Sequence, residues 1–129
     1  MRRLFDTHAF LWWDDQREKL PQTVLAACEN PNNTLFLSVV SIWEMQIKAQ
    51  LGKLKFSMPL QEKVTAQLEK NNVQILAVYP QHIYQIDDLQ LHHRDPFDRL
   101  LIGQALVEKL FLITHDAEIQ KYPVDIFWD

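Results

Sequence analysis

The pattern that most constrains the fold is an alternation of short apolar runs with longer segments that carry helix signals. The apolar runs cover residues 4–5, 34–39, 73–78, 111–114 and 124–127. They are nearly continuous in apolar and β-branched side chains, as expected of strands that are buried on both faces of a parallel sheet. The alternation therefore predicts an α/β protein, a three-layer α/β/α sandwich around a central parallel sheet of about five strands.

Proline and capping residues mark where the intervening helices begin. The first turn of a helix tolerates proline, because the missing N–H would have no partner there. Four prolines are interpreted as standing at such positions, namely Pro21, Pro59, Pro80 and Pro96. Residues 41–44, SIWE, match a capping box, which predicts a helix over residues 41–50. Apolar positions near the helical period predict a further helix over residues 96–110.

Length and composition narrow the class of protein. The chain has 129 residues, which predicts a single domain over residues 1–129. Its formal net charge of −4 argues against a basic module that grips nucleic acid through phosphate neutralisation alone. Cys28 is the single cysteine, which excludes an internal disulfide and suits a small core residue in a reducing compartment. With no apolar run long enough to span a bilayer, we expect a cytoplasmic protein without a membrane partner.

Four carboxylates from distant parts of the sequence are expected to converge. Asp6 follows the first predicted strand and Asp116 lies just past the fourth, so both project beyond the carboxyl edge of the sheet. Glu44 and Asp98 each lie one turn into a helix that can open toward the same crevice. Hard oxygen ligands of this kind suit Mg²⁺ or Mn²⁺. Such ions activate water and stabilise charge on a phosphoryl group.

Each acid also has a purely structural interpretation. Glu44 could cap its own helix or pair with Lys48 four residues on. Asp116 could cap a short helix over residues 117–121, since acids are favoured at helix starts. Asp6 differs from these, because aspartate is depleted in strands and propensity alone does not account for it there. We therefore favour a functional role most strongly for Asp6.

Other motifs carry less chemistry. The five histidines match no known zinc spacing, and residues 92–94, HHR, are interpreted as a polar loop. Trp12 and Trp13 are interpreted as packing residues, with one ring available at a partner surface. No glycine-rich phosphate loop and no nucleophile motif is present in the sequence.

Four stretches that together span nearly the whole chain resemble the PIN-domain nucleases, especially the VapC-type toxins of toxin–antitoxin pairs. They are LFDTHAFLWW at 4–13, SVVSIWEMQIK at 38–48 continued by LGKL at 51–54, HHRDPFDRLLIGQA at 92–105, and THD at 114–116 followed by Tyr122. Four acidic blocks in this order are far more specific than any one alone. The resemblance implies a PIN-like fold.

The resemblance also implies a metal-dependent endoribonuclease that hydrolyses RNA phosphodiester bonds with a metal-activated water. The acids that match the family's catalytic, metal-binding quartet are Asp6, Glu44, Asp98 and Asp116. Thr7 and Thr114 match small polar positions that orient water or ligands. Asp95 is an extra acid beside the quartet, interpreted as an N-cap or as a residue that holds a ligand in place. The implied cofactor is Mg²⁺ or Mn²⁺.

The same resemblance implies partners. Relatives commonly form homodimers and are blocked by a small VapB-like antitoxin, whose arginine could pair with the acidic site. Two positions depart from the common pattern. His115 stands where relatives often carry arginine, and Gly103 stands where many carry alanine, which we interpret as a conservative packing change.

The sequence has three alternative interpretations. A receiver-type signalling domain would need adjacent acids after the first strand, which has only Asp6. A phosphatase with an aspartate nucleophile would need a second aspartate where His8 stands. A catalytically inactive or standalone PIN-like domain that only binds a partner stays open, although all four acids of the quartet are present.

Overall fold

A computed structural model describes residues 1–91 and 95–129, and residues 92–94, the predicted polar loop, lie outside the described residues. Within the described residues the chain forms five strands, six α-helices and two 3₁₀ helices. The strands are β1 Arg2–Phe5, β2 Thr34–Ser38, β3 Gln74–Leu76, β4 Phe111–Ile113 and β5 Ile126–Phe127. The α-helices are α1 Thr7–Asp15, α2 Gln22–Glu29, α3 Val39–Gln50, α4 Leu60–Lys70, α5 Pro80–Ile86 and α6 Pro96–Glu108. The 3₁₀ helices are Arg17–Lys19 and Ile119–Lys121.

The strands form one parallel sheet in the order β3-β2-β1-β4-β5. The chain builds outward from β1 to β3 and then crosses to the other side of β1. The strand order therefore reverses between β1 and β4, and this switch point is where open α/β sheets bind ligands. The order also contradicts the receiver-type alternative, because receiver domains have the strand order 2-1-3-4-5.

Two apolar cores lie on opposite faces of the sheet, which confirms the predicted three-layer sandwich. Successive residues of a strand point to opposite faces. Accordingly, Phe5 packs with α1, α2 and α4, whereas Leu4 packs with α6. Cys28 lies in the first core, and burial raises the pKa of its thiol to about 12. The interpretation of Cys28 as a small core residue is confirmed.

Two of the four prolines occupy the predicted position. Pro80 and Pro96 are the first residues of α5 and α6. Pro21 and Pro59 instead lie one residue earlier, as the N-caps of α2 and α4. The difference is small, because a proline before a helix fixes its own φ and loses no intrahelical hydrogen bond.

The helix α3 begins two residues before the predicted position, so the prediction of a start at residue 41 is wrong. The helix begins at Val39, and its N-cap is Ser38, whose Oγ accepts a hydrogen bond from the Val40 N–H at 3.0 Å. The predicted capping box at residues 41–44 therefore lies inside the helix, where Ser41 has no free N–H groups to cap. Both serines fit the capping rule, and the strand that ends at Ser38 decides between them.

The helix α1 was not predicted, and it changes the interpretation of Asp6. Asp6 is the N-cap of α1, with its Oδ1 accepting a hydrogen bond from the Ala9 N–H at 2.7 Å. Aspartate is a preferred residue at this position. Local propensity therefore does account for Asp6, contrary to the prediction, because this residue follows a strand and caps a helix at once.

Gly103 is required where α6 crosses α5. A Cβ at this position would lie 2.6 Å from the backbone oxygen of His82 in α5. The interpretation of this glycine as a conservative change is therefore wrong. None of the helices in the described ranges is both long and apolar enough to cross a membrane.

Candidate active site

Asp6 is held by both of its carboxyl oxygens at the switch point of the sheet. Its backbone N–H continues the ladder from β1 by donating to the Ile113 oxygen at 3.0 Å. The Ala9 N–H donates to Oδ1, and the Thr114 hydroxyl donates to Oδ2 at 2.5 Å. The Asp6 residue is only 4% exposed. The end of β1 and the end of β4 thus fix this carboxyl group together.

Thr114 links Asp6 to Asp116. The Asp116 N–H donates to the Thr114 Oγ1 at 3.1 Å, while the Thr114 hydroxyl proton points to Asp6. Asp116 in turn accepts a hydrogen bond from the Glu118 N–H at 2.8 Å. The predicted helix over 117–121 is shorter than expected, a 3₁₀ turn over Ile119–Lys121. The Asp116 carboxylate thus stabilises the turn that leads into this 3₁₀ helix.

The environment of Asp6 raises the pKa of its carboxyl group to about 6. Burial is the largest cause, because it penalises the charged form. The negative charges of Asp116 and Glu44 raise this pKa further, while the hydrogen bonds from Thr114 and Ala9 lower it. Three acids that are remote in sequence therefore interact electrostatically, and a cation placed among them would relieve their repulsion.

Glu44 reaches this region through Thr7. The Thr7 hydroxyl lies 2.7 Å from the Glu44 Oε1 and 2.9 Å from the Ser41 Oγ. A carboxylate only accepts hydrogen bonds, so the Thr7 hydroxyl donates its proton to the Glu44 carboxylate. The Thr7 oxygen can then accept a hydrogen bond from the Ser41 hydroxyl. The Lys48 ammonium lies 2.5 Å from the other oxygen, Oε2. The predicted i,i+4 pair between Glu44 and Lys48 is thus present in the structure.

A cavity of about 210 Å³ opens beside Asp6 at the carboxyl edge of the sheet. Its lining includes Asp6, His8, Trp12, His115, Asp116 and Trp128. These residues come from α1 and its N-cap, from the segment after β4 and from the segment after β5. The cavity combines carboxylates with aromatic rings.

Asp98 lies in the first turn of α6 and is not part of the lining of this cavity. Asp95 is the N-cap of that helix, with its Oδ1 accepting from the N–H groups of Phe97 and Asp98 at 2.9 and 3.3 Å. The N-cap interpretation of Asp95 is confirmed. The structure thus brings Asp6, Asp116 and Glu44 into one electrostatic unit, and it places Asp98 on a neighbouring helix start.

The donor set is chemically suited to a hard divalent cation, because it consists of carboxylate and hydroxyl oxygens. Across residues 1–91 and 95–129, however, no three histidine, cysteine, aspartate or glutamate side chains lie close enough together to hold a metal ion. Lys48 and Thr7 also occupy both oxygens of Glu44. The carboxylates therefore have the ligand atoms that a hard divalent cation prefers, but within these described ranges they do not stand in a preformed arrangement of three ligands.

Sequence reasoning missed three residues at this site. Ser41 was interpreted as a helix cap, but it is fully buried against Thr7. His8 and Trp128 were not assigned to the site, although both line the cavity. A signal existed for His8, which lies two residues beyond Asp6. The position of Trp128 follows only from the pairing of β5 with β4.

Comparison with protein families and solved structures gives a consistent result. The model of the PIN domain family matches residues 3–125. A comparison with curated proteins found no significant match.

Among solved structures, the chain is similar to one in the VapBC2 complex of Rickettsia felis bound to a promoter DNA fragment, with a TM-score of 0.73, 18% identity and 100% coverage of both chains. DNA-bound VapBC from Salmonella typhimurium gives a TM-score of 0.70 at 13% identity, over 98% of this chain and 96% of that one. VapBC-1 from nontypeable Haemophilus influenzae gives 0.63 at 21% identity, over 94% and 91%. At these identities the similarity shows a shared fold.

Proposed function

Because this chain belongs to the PIN-domain family, we propose that it is a metal-dependent endoribonuclease of the VapC toxin type. The observation that carries the proposal is the pair of acids Asp6 and Asp116, which line one cavity at the switch point of the sheet, with the charge of Glu44 near enough to act on Asp6. A buried acid whose pKa is raised by burial and by nearby acids, beside an open cavity, is typical of a functional site.

In this proposal Asp6 and Asp116 bind Mg²⁺ or Mn²⁺, with Glu44 and Asp98 completing the ligand set. The cation, when bound, supplies positive charge to the phosphodiester oxygens and lowers the pKa of a water molecule. Thr114 orients Asp6 through Oδ2, and the helix start of α1 orients it through Oδ1. Thr7 orients Glu44. Hydrogen bonds of this kind fix ligand direction before an ion arrives.

The acids also explain how a chain with a net charge of −4 can act on RNA. Four carboxylates would repel a phosphate, so we expect substrate binding to require the cation. Affinity for RNA should therefore depend on Mg²⁺ or Mn²⁺ more than on a basic surface.

We propose partners on the same basis. The similar solved structures are VapBC and toxin–antitoxin complexes, which supports a VapB-like antitoxin that covers the acidic site of this chain. We also propose a homodimer, since exposed apolar side chains such as Trp43 and Ile83 lie on α3 and α5. Sedimentation of the purified chain, alone and with the product of a neighbouring small gene, tests both proposals.

The proposed activity is tested by incubating the purified chain with structured RNA in Mg²⁺, Mn²⁺ or EDTA. We expect cleavage only with the cation. Asp6→Asn keeps the helix cap but removes a charged metal ligand. Loss of a group that only orients a ligand costs up to about 100-fold, so loss of the ligand itself should lower the cleavage rate at least about 100-fold. Asp116→Asn should behave similarly.

The matched control is Asp15→Asn, which makes the same chemical change at an exposed residue at the end of α1. It should cleave like the wild type. Cleavage in EDTA, or equal rates for folded Asp6→Asn and wild type, would contradict the mechanism. Metal binding without cleavage of any RNA would instead favour the inactive, partner-binding PIN domain.

A further inference from the structure

Three aromatic side chains form one wall of the cavity beside Asp6 and Asp116. This aromatic wall consists of Trp12, His115 and Trp128. The ring centroids of Trp12 and Trp128 are 5.9 Å apart, those of His115 and Trp128 are 5.3 Å apart, and those of Trp12 and His115 are 6.2 Å apart. Each ring therefore touches the other two, although the residues come from opposite ends of the chain.

The rings are tilted rather than stacked on one another. Their interplanar angles are 48°, 55° and 43°. No two of the three rings are stacked in parallel, so none of them covers the whole face of another. Trp12 and Trp128 are half-buried against the first core, which holds them in place, and His115 is exposed. The wall is thus partly buried at the two tryptophans and exposed at the histidine.

We propose that the aromatic wall binds an unpaired nucleobase of the RNA, next to the phosphodiester held at the carboxylates. This inference rests on the proposed nuclease function and adds to it a place where a base beside the cleaved phosphodiester is held. Every base has a π face that stacks on an aromatic side chain, so such contacts tolerate different sequences. A base inside a duplex cannot present this face.

Charge supports a nucleotide as the occupant. The Lys19 ammonium lies over the Trp12 ring, 5.6 Å from its centroid. It gives a backbone phosphate one cation beside a site that is otherwise acidic. In a chain with a net charge of −4, stacking supplies affinity that phosphate contacts alone do not provide.

Direct binding tests the proposal. Fluorescence anisotropy is measured with short single-stranded RNA in Mg²⁺, in an Asp6→Asn background in which cleavage is slowed at least about 100-fold. Adding Trp128→Ala should weaken binding about 5- to 100-fold, the range for loss of one base–aromatic stack. Trp128→Phe keeps a stacking face and should retain most of the affinity. Tyr84→Ala, an exposed aromatic of α5 outside the cavity, is the matched control and should change nothing.

Abasic RNA identifies the contact. One abasic position in the oligonucleotide should weaken binding to the Asp6→Asn parent by a similar factor, and Trp128→Ala should then cause no further loss. Duplex RNA of the same sequence should bind more weakly than the single strand. Thermal unfolding of each variant confirms that it is folded.

The proposal is wrong if folded Trp128→Ala binds RNA as tightly as the parent. It is wrong, too, if Trp128→Ala weakens the binding of every abasic RNA by the same factor as the binding of intact RNA. It is also wrong if Trp128→Ala weakens only an antitoxin complex, which would assign the wall to protein contact. In each of these cases, a wild-type chain that still cleaves RNA leaves the proposed nuclease function standing. A wild-type chain that neither binds nor cleaves RNA overturns both.

Discussion

Thr114 donates a hydrogen bond of 2.5 Å to Asp6 although the two residues are 108 positions apart in the sequence. The bond joins the carboxyl ends of β1 and β4 and favours the charged form of Asp6. In Thr114→Val this donor is lost while the shape of the side chain is kept. We expect the pKa of Asp6 to rise above about 6, as measured by NMR titration of its carboxyl carbon in EDTA.

The same variant should bind Mn²⁺ about 10- to 100-fold more weakly, because a ligand loses the group that orients it. Thr65→Val is the matched control, since Thr65 is exposed on α4. It should leave the Asp6 titration unchanged. A Thr114→Val titration that overlays the wild type would show that the hydrogen bond does not tune the carboxyl group.

The raised pKa of Asp6 predicts how stability depends on pH. In the folded chain the pKa is about 6, whereas the ordinary value is 3.8. The folded state therefore binds the proton more tightly than the unfolded state does. The resulting stabilisation is fully present below pH 3.8 and is lost as the pH rises through 6. The shift corresponds to about 3 kcal/mol in the free energy of unfolding.

Asp6→Asn cannot ionise, so it should lack this contribution to the pH slope. Urea unfolding of both proteins from pH 4 to pH 7 in EDTA measures the difference. We expect the variant to gain stability relative to the wild type as the pH rises, by up to about 3 kcal/mol. A difference that is the same at every pH would contradict the raised pKa.

Much of the fold could be predicted because apolar strands and helix starts are local signals. The five runs of the sequence correspond to the five strands, and Asp6 and Asp116 follow two strands that are neighbours in the sheet. Local signals become ambiguous where one residue serves two elements. Asp6 ends β1 and caps α1, and Ser38 ends β2 and caps α3.

The candidate site could be predicted only in part, for a different physical reason. The acids are recognised one by one from their positions near strand ends and helix starts. The contacts that tune them are set by tertiary packing. Thr7 meets Glu44 across two helices, and Trp128 reaches Trp12 only because β5 pairs with β4. No pattern within a short stretch of sequence predicts such contacts between residues that are distant along the chain.

The ion pair between Lys48 and Glu44 predicts competition between a protein cation and a metal ion. Glu44 is 2% exposed, and the Lys48 ammonium lies 2.5 Å from its Oε2. Lys48→Met leaves this buried oxygen without its partner. We expect a loss of about 1–2 kcal/mol in the free energy of unfolding, reduced from the value for a fully buried pair because the Lys48 side chain is 31% exposed.

Mn²⁺ should recover that loss, because a bound cation can replace the missing positive charge. The rise in melting temperature on adding Mn²⁺ should thus be larger for Lys48→Met than for the wild type. Lys53→Met, at an exposed position just after α3, is the control. An equal or smaller rise in Lys48→Met would show that Lys48 and the metal do not compete for Glu44.

The crossing of α5 and α6 predicts that the alanine common in relatives is not tolerated at Gly103. A helix interior normally gains about 1 kcal/mol when glycine becomes alanine. Here the new Cβ would lie 2.6 Å from the His82 backbone oxygen, which cannot move unless α5 moves with it. His82 resists that movement, since its ring contacts the Glu108 carboxylate at the end of α6 at 2.7 Å.

We therefore expect Gly103→Ala to lower the free energy of unfolding by about 1–3 kcal/mol in urea, despite the gain in helix propensity. Hydrogen exchange of the α5 amides should also accelerate, because the clash falls on that helix. Gly52→Ala serves as the comparison: its φ of +76° strains any side chain, but no atom lies within 4 Å of the new Cβ. It should lose stability without faster exchange in α5. Unchanged or increased stability of Gly103→Ala would mean that α5 can shift away at little cost.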